Sequence, residues 1–94
     1  MKINTIIKFM AEWCGPCKAM APTFEKISKM DEYKDISFKE IDVDNDDDEL
    51  SVKYGVRGIP TIIAIDDEGN SLGKSVGLVS EKQLLELINE ILSK

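Results

Sequence analysis

Cys14 and Cys17 are the only thiols in the chain, and they stand two residues apart within Trp13-Cys14-Gly15-Pro16-Cys17. Two thiols at that spacing can do reversible disulfide exchange, which needs an attacking thiolate near neutral pH. Cys14 sits just before a helix-like run, Lys18 to Met30. There the unpaired backbone N–H groups and the helix dipole favour a negative sulfur. Cysteines so placed ionise below the ordinary thiol range. Cys17 lies one turn further in. It is expected to be more buried, to stay protonated, and to attack a mixed disulfide on Cys14, releasing a reduced substrate.

Three other uses of the pair stay open on the residues alone. A zinc site needs about four ligands; with no histidine, carboxylates or a second chain would have to complete it. A structural disulfide closing so small a loop would stabilise little. The thiols could also be uninvolved. The spacing and the strand-to-helix setting favour exchange.

The elements that must hold the pair follow from periodicity. Lys2 to Phe9 is aliphatic on both faces, with Ile3, Ile7 and Phe9 on one side and Asn4, Ile6 and Lys8 on the other. An interior strand covered on both faces reads this way, with Lys8 as its anomaly. Gly15 to about Met30 reads as a helix, with Pro16 in its first turn and Pro22 as an expected kink. Met20, Phe24 and Ile27 recur at helical spacing. Asp31 to Asp35 reads as a polar connection. Ile36 to Val43 reads as a second strand, with Ile36, Phe38 and Glu40 on one face and Ile41 and Val43 on the other. Strand, helix and strand imply a parallel crossover.

The acidic run after Val43 suits the positive end of a short helix, Asp47 to Tyr54, closed by Gly55. A calcium loop starting at Asp44 would need glycine at Glu49 and glutamate at Gly55, and has neither. Thr61 to Ile65 and Ser71 to Val76 read as a hairpin about the turn Asp66 to Asn70. Ser80 and Gln83 form a capping box for a last helix, on which Leu84, Leu87, Ile88 and Ile91 line one face and Leu85 and Leu92 widen the stripe. The expected class is α/β: one domain over 1–94, with a four-stranded mixed sheet flanked by helices.

Composition narrows the function. The net charge of −6 argues against a nucleic-acid partner held by its phosphates. No apolar run approaches the ~20 residues of a membrane span. Lys8 interrupts the short apolar stretch at the N-terminus, which does not read as a signal peptide. A cytosolic protein is expected, where a catalytic disulfide is the usual exception to reduced thiols.

Ala11-Glu12-Trp13-Cys14-Gly15-Pro16-Cys17-Lys18 closely resembles the active-site segment of thioredoxins. Tyr54-Gly55-Val56-Arg57-Gly58-Ile59-Pro60-Thr61 resembles their second signature, which carries a cis-proline. Gly69, Gly77 and Pro22 fall at further family positions. The resemblance runs from Ile6 onward, over a chain that lacks the leading strand and helix of full-length thioredoxins. It implies a thioredoxin fold and a protein-disulfide reductase, with Cys14 as nucleophile and Cys17 as resolving thiol. It also implies that Trp13, Gly15, Pro16, Ile59, Pro60 and Gly77 line a shallow apolar groove for the substrate chain. Pro60 would be cis, and Ile59 would be free to pair with substrate backbone.

Three departures stand out. Lys8 occupies the position of a buried aspartate that helps move the resolving cysteine's proton, and Glu40 the position of a lysine. A buried lone charge is costly, whereas a pair is compensated. A Lys8–Glu40 pair beneath Cys17 is therefore expected, with Glu40 handling the proton; the alternative is that Lys8 snorkels to solvent. Met10 replaces an aromatic residue.

Nothing resembles a glycine-rich nucleotide fingerprint, so no bound cofactor and no metal are expected. Reducing equivalents would come from a thioredoxin-reductase-like partner, and electrons would pass to disulfide-containing proteins in cellular redox homeostasis. A monomer is expected. The alternatives are a dedicated donor to one enzyme such as ribonucleotide reductase, glutaredoxin-like coupling to glutathione, or a binding subunit of a larger complex.

Overall fold

The run Thr5–Met10 forms the central strand β1 of a four-stranded sheet in the computed structural model, which describes residues 1–94. Its neighbours are β2 (Ser37–Asp42), parallel to it, and β3 (Thr61–Ile65), antiparallel. β4 (Ser71–Val76) pairs antiparallel with β3, giving the order β2-β1-β3-β4. The sheet is mixed, as the alternation of crossover and hairpin requires.

Helix α1 (Gly15–Ser28) connects β1 to β2 and runs through Pro22 without interruption. It buries Cys17, Met20, Phe24 and Ile27, the i, i+3, i+4 stripe of a helix laid on a sheet. Helix α3 (Glu81–Leu92) starts on the Ser80–Gln83 capping box, with both reciprocal bonds formed. Its buried stripe is Leu84, Ile88 and Ile91; Leu87 and Leu85 are half-buried, and Leu92 is exposed at the last turn. Both helices share one core with Ile6, Ile62 and Ala64. On the opposite face Ile7, Phe9 and Ile63 are covered by Ile41, Val43, Leu50, Tyr54, Val56 and Ile59.

Three expectations need correction. Ile3 packs with Ile6 and not with Ile7, because it precedes the strand and escapes its two-residue alternation. The connection after α1 is not merely polar: a short 3₁₀ turn, Asp31–Tyr33, buries Tyr33 and aims its hydroxyl at Asn89 Oδ1, 2.7 Å away. The phenol is pushed up by burial, then by nearby Glu32, against the Asn89 bond. Helix α2 is only Leu50–Lys53, because Glu49 adopts a left-handed conformation (φ 53°) that a helix cannot contain. The acid that serves α2 stands outside it. Asp46 accepts from the Leu50 and Ser51 N–H groups at 3.0 and 2.7 Å and from the Ser51 hydroxyl at 2.6 Å.

Candidate active site

β1 ends at Met10 and α1 begins at Gly15, so the intervening turn delivers Cys14 to the helix N-cap. Its sulfur accepts the Cys17 N–H at 3.2 Å. That is one of the N–H groups a helix leaves without a partner. Cys14 and Cys17 are joined in a disulfide, their Cα atoms 5.3 Å apart. Both are buried, at 4% and 2% exposure, among Ala11, Met10, Val43 and Ile59. The expected contrast in burial between them is therefore slight. What separates them is position: one caps the helix, and the other lies inside it.

The front of the site is apolar and open. Trp13 is 70% exposed, yet its indole N–H donates to Asp44 Oδ2 at 2.8 Å. Trp13, Val43, Ser51, Val56, Arg57, Gly58 and Ile59 line a cavity of about 360 Å³. The Ile59–Pro60 bond is cis. Pro60 is buried, and its carbonyl accepts the Gly77 N–H at 2.8 Å, which ties the loop to the end of β4. Gly77 has φ 91°, a conformation that favours glycine. Neither the N–H nor the carbonyl of Ile59 enters a backbone hydrogen bond. Val76 and Leu78, on either side of Gly77, are exposed. The structure thus gathers Trp13 with Ile59, and Pro60 with Gly77. Gly15 and Pro16 stand exposed at the helix start, outside the cavity.

The rear of the site is charged. The register pairs Lys8 with Glu40 across β1 and β2, and their side chains form an ion pair at 3.2 Å. Lys8 is 1% exposed and Glu40 49%. Lys8 therefore does not snorkel to water. Its ammonium donates to the Cys17 carbonyl at 3.4 Å and lies 5.4 Å from the centre of the Phe24 ring, itself edge-on to Phe38. A cation here is held by an anion, a carbonyl and an aromatic face.

A sequence model of the family described as Thioredoxin matches residues 1–90. The chain belongs to the thioredoxin family. It is 39% identical to a thioredoxin of Mycoplasmoides gallisepticum over 85 residues, which are 90% of this chain and 81% of that one. It is 41% identical to a thioredoxin of Borreliella burgdorferi, again over 85 residues, covering 90% and 70% of the two chains. The fold matches the crystal structure of a reduced thioredoxin pre-protein of Schistosoma mansoni with a TM-score of 0.78 at 36% identity, over 96% of this chain and 80% of the other. A thioredoxin fold and a thiol–disulfide oxidoreductase are thereby established, with the Cys14–Cys17 pair as the disulfide at hand. No helix is long and apolar enough to cross a membrane.

Two acids near this thioredoxin site stood out in sequence as members of a charged run and as positions of a failed calcium loop, not as partners of the site. Asp44 holds Trp13, and Asp46 anchors the helix that backs the cavity. Asp44 and Asp46 thus spend carboxylate oxygens on protein donors. Asp46 is held below the ordinary carboxylate range by the Ser51 hydroxyl first, then by backbone N–H groups. No local spacing marks the Trp13–Asp44 bond, which spans 31 residues.

Proposed function

We propose that the chain reduces disulfides in protein substrates, as one domain spanning 1–94, with Cys14 as nucleophile and Cys17 as resolving thiol. The observation that carries this reading is the capping of α1 by Cys14, whose sulfur accepts the Cys17 N–H. Donors already aimed at that sulfur favour its thiolate. The thiolate attacks a substrate disulfide, one substrate sulfur leaves with the bonding electrons and takes a proton, and the other stays on Cys14. Cys17 gives up its proton and attacks Cys14, the bond to substrate breaks, and the second substrate sulfur leaves reduced. The substrate gains two electrons and the chain closes its own disulfide.

Ile59 supports recognition of extended protein chains, because its unpaired N–H and carbonyl are available to a substrate backbone. Trp13, Gly15, Pro16, Pro60 and Gly77 complete that surface. In this reading Glu40, half-exposed and paired with Lys8, takes the Cys17 proton and passes it to water. The chain works as a monomer in a reducing cytosol, carrying electrons from a thioredoxin-reductase-like donor. Insulin reduction with a thioredoxin reductase and with glutathione as alternative electron sources tests this. Turnover with the reductase is expected. Turnover with glutathione alone would shift the assignment to a glutaredoxin-like donor, and no turnover with either would overturn it.

A further inference from the structure

Lys8 is a buried cation that the two exchange steps leave without a task. Its ammonium has three donors. Glu40 and the Cys17 carbonyl occupy two, at 3.2 and 3.4 Å. A cavity of about 330 Å³ opens beside it, lined by Lys8, Cys17, Glu40 and, at the rim, Glu12 and Lys18. The charged and titratable groups facing Lys8 are thus Glu40 from β2, Cys17 and Lys18 from α1, and Glu12 from the turn before Cys14. β3 contributes only Ile62 at the paired position. Glu12 and Lys18 are exposed, of opposite sign, and screened by water.

The two members of the ion pair differ in one decisive respect. Lys8 cannot reach solvent, whereas Glu40 is half in it. If Glu40 takes a proton, it can face water as a neutral acid at little cost. The buried ammonium then loses its counter-charge, which an interior does not tolerate cheaply. Cys17, whose carbonyl already accepts from this ammonium and which lines the same cavity, is the group that has then become an anion. We infer that Lys8 is a counter-ion that changes partners during catalysis. It pairs with the Glu40 carboxylate while Cys17 is a thiol or a disulfide. It pairs with the Cys17 thiolate once the proton has moved to Glu40. The net charge of the buried group is the same in both arrangements. Deprotonation of Cys17 therefore moves a negative charge between two partners of one cation and does not create a new one in the core. Closure of the Cys14–Cys17 disulfide removes the thiolate, the proton leaves Glu40 through the cavity, and the original pair re-forms.

This inference rests on the thiol–disulfide reading, and one experiment separates the two. Mixing the reduced chain with an excess of a chromogenic aromatic disulfide in stopped flow gives two releases of chromophore. The first, dependent on reagent concentration, is attack by Cys14. The second, independent of it, is attack by Cys17 on the mixed disulfide. Loss of the positive partner in Lys8→Met is expected to slow the second release about tenfold or more near neutral pH. It should also move the midpoint of that release's pH profile upward. Glu40→Gln frees the ammonium for the thiolate and is expected to move the midpoint downward. The first release should keep its pH profile in both variants.

Opposite displacements are what partner exchange requires. A purely structural pair would change the melting temperature of both variants and leave the second pH profile in place, which overturns the inference. So would displacement of both in the same direction. Should Lys8→Met fail to fold, Glu40→Gln still tests the inference, because an unmoved or raised midpoint overturns it. Absence of both releases in the unaltered chain would instead sink the thiol–disulfide reading itself.

Discussion

The two sides of the Cys14–Cys17 disulfide are built from different materials. In front, Cys14 is served by backbone: the helix N–H groups, the cis Ile59–Pro60 loop, and the exposed faces of Trp13, Val76 and Leu78. Behind, Cys17 is served by side-chain charge: a buried ammonium, a half-exposed carboxylate and a cavity that joins them. Backbone donors are fixed in the fold and do not titrate, which suits a nucleophile that must be ready whenever a substrate arrives. Charged side chains can change partner and protonation, which suits a thiol that must stay protected until a mixed disulfide forms. In the proposed mechanism readiness and timing are thus separated, one on each side of the disulfide.

The strongest way to break that comparison is to remove each sulfur. Cys14→Ser is expected to abolish reduction of a protein disulfide. Cys17→Ser is expected to perform the first attack and then stall, leaving one equivalent of substrate covalently attached, visible by mass spectrometry under non-reducing conditions. If the two variants behaved alike, the sides would not have distinct roles.

A control on stability comes next. A Cβ on Gly73 would lie 2.6 Å from Ile91 Cδ1 and 3.3 Å from its Cγ1, so the buried Ile91 side chain must shift to admit it. Gly73→Ala is expected to cost about 1–3 kcal/mol by overpacking, read from urea unfolding. Both chromophore releases should keep their pH profiles. A change in the second profile here would mean that loss of stability alone imitates the loss of Lys8.

The sequence was informative to different depths on the two sides. A cysteine before a helix, and the capping box at Ser80, could be read because they are local devices; the groove about Pro60 was expected only from the family resemblance. The Lys8–Glu40 pair was also readable, since parallel strands of matching face place the two residues side by side. What escaped depended on contacts between distant segments. Asp44 appears in the sequence as one acid among several, and only the folded turn after β2 brings it to Trp13. Tyr33 looked like part of a polar connection, because a single apolar residue in a 3₁₀ turn carries no periodicity. The start of α2 was misplaced because helix propensity and acidic capping cannot report a left-handed residue at Glu49.

The Trp13–Asp44 bond offers a smaller test of the front. Asp44→Asn keeps the size of the side chain and weakens a charge-assisted acceptor. Trp13→Phe keeps an aromatic face and removes the donor. Each is expected to lower kcat/KM for a protein substrate about two- to threefold, the size of one hydrogen bond near water. The double variant should lose no more than either alone, because both changes delete the same bond. Additive losses would show that the indole acts on substrate independently of Asp44.

The smallest effect concerns the support of the front cavity. Asp46 and Asp66 are the two aspartates held below their ordinary value, Asp46 chiefly by the Ser51 hydroxyl and Asp66 chiefly by the Asn70 N–H. A carboxyl lowered in the folded chain stabilises it fully above the ordinary aspartate range, near pH 4. That contribution is lost as pH falls through the lower folded value, because the unfolded chain binds the proton first. Stability should therefore fall on the acid side of about pH 4. Asp46→Asn should make that fall shallower while leaving the chain slightly less stable at neutral pH. Urea midpoints measured across the acid range check the sign. An unchanged acid slope would mean that the bonds to Leu50 and Ser51 orient α2 without contributing to its stability. Since Ser51 and Val56 line the same cavity as Trp13, any loss of substrate affinity in Asp46→Asn should appear in KM. The second chromophore release belongs to the rear of the disulfide and should keep its rate.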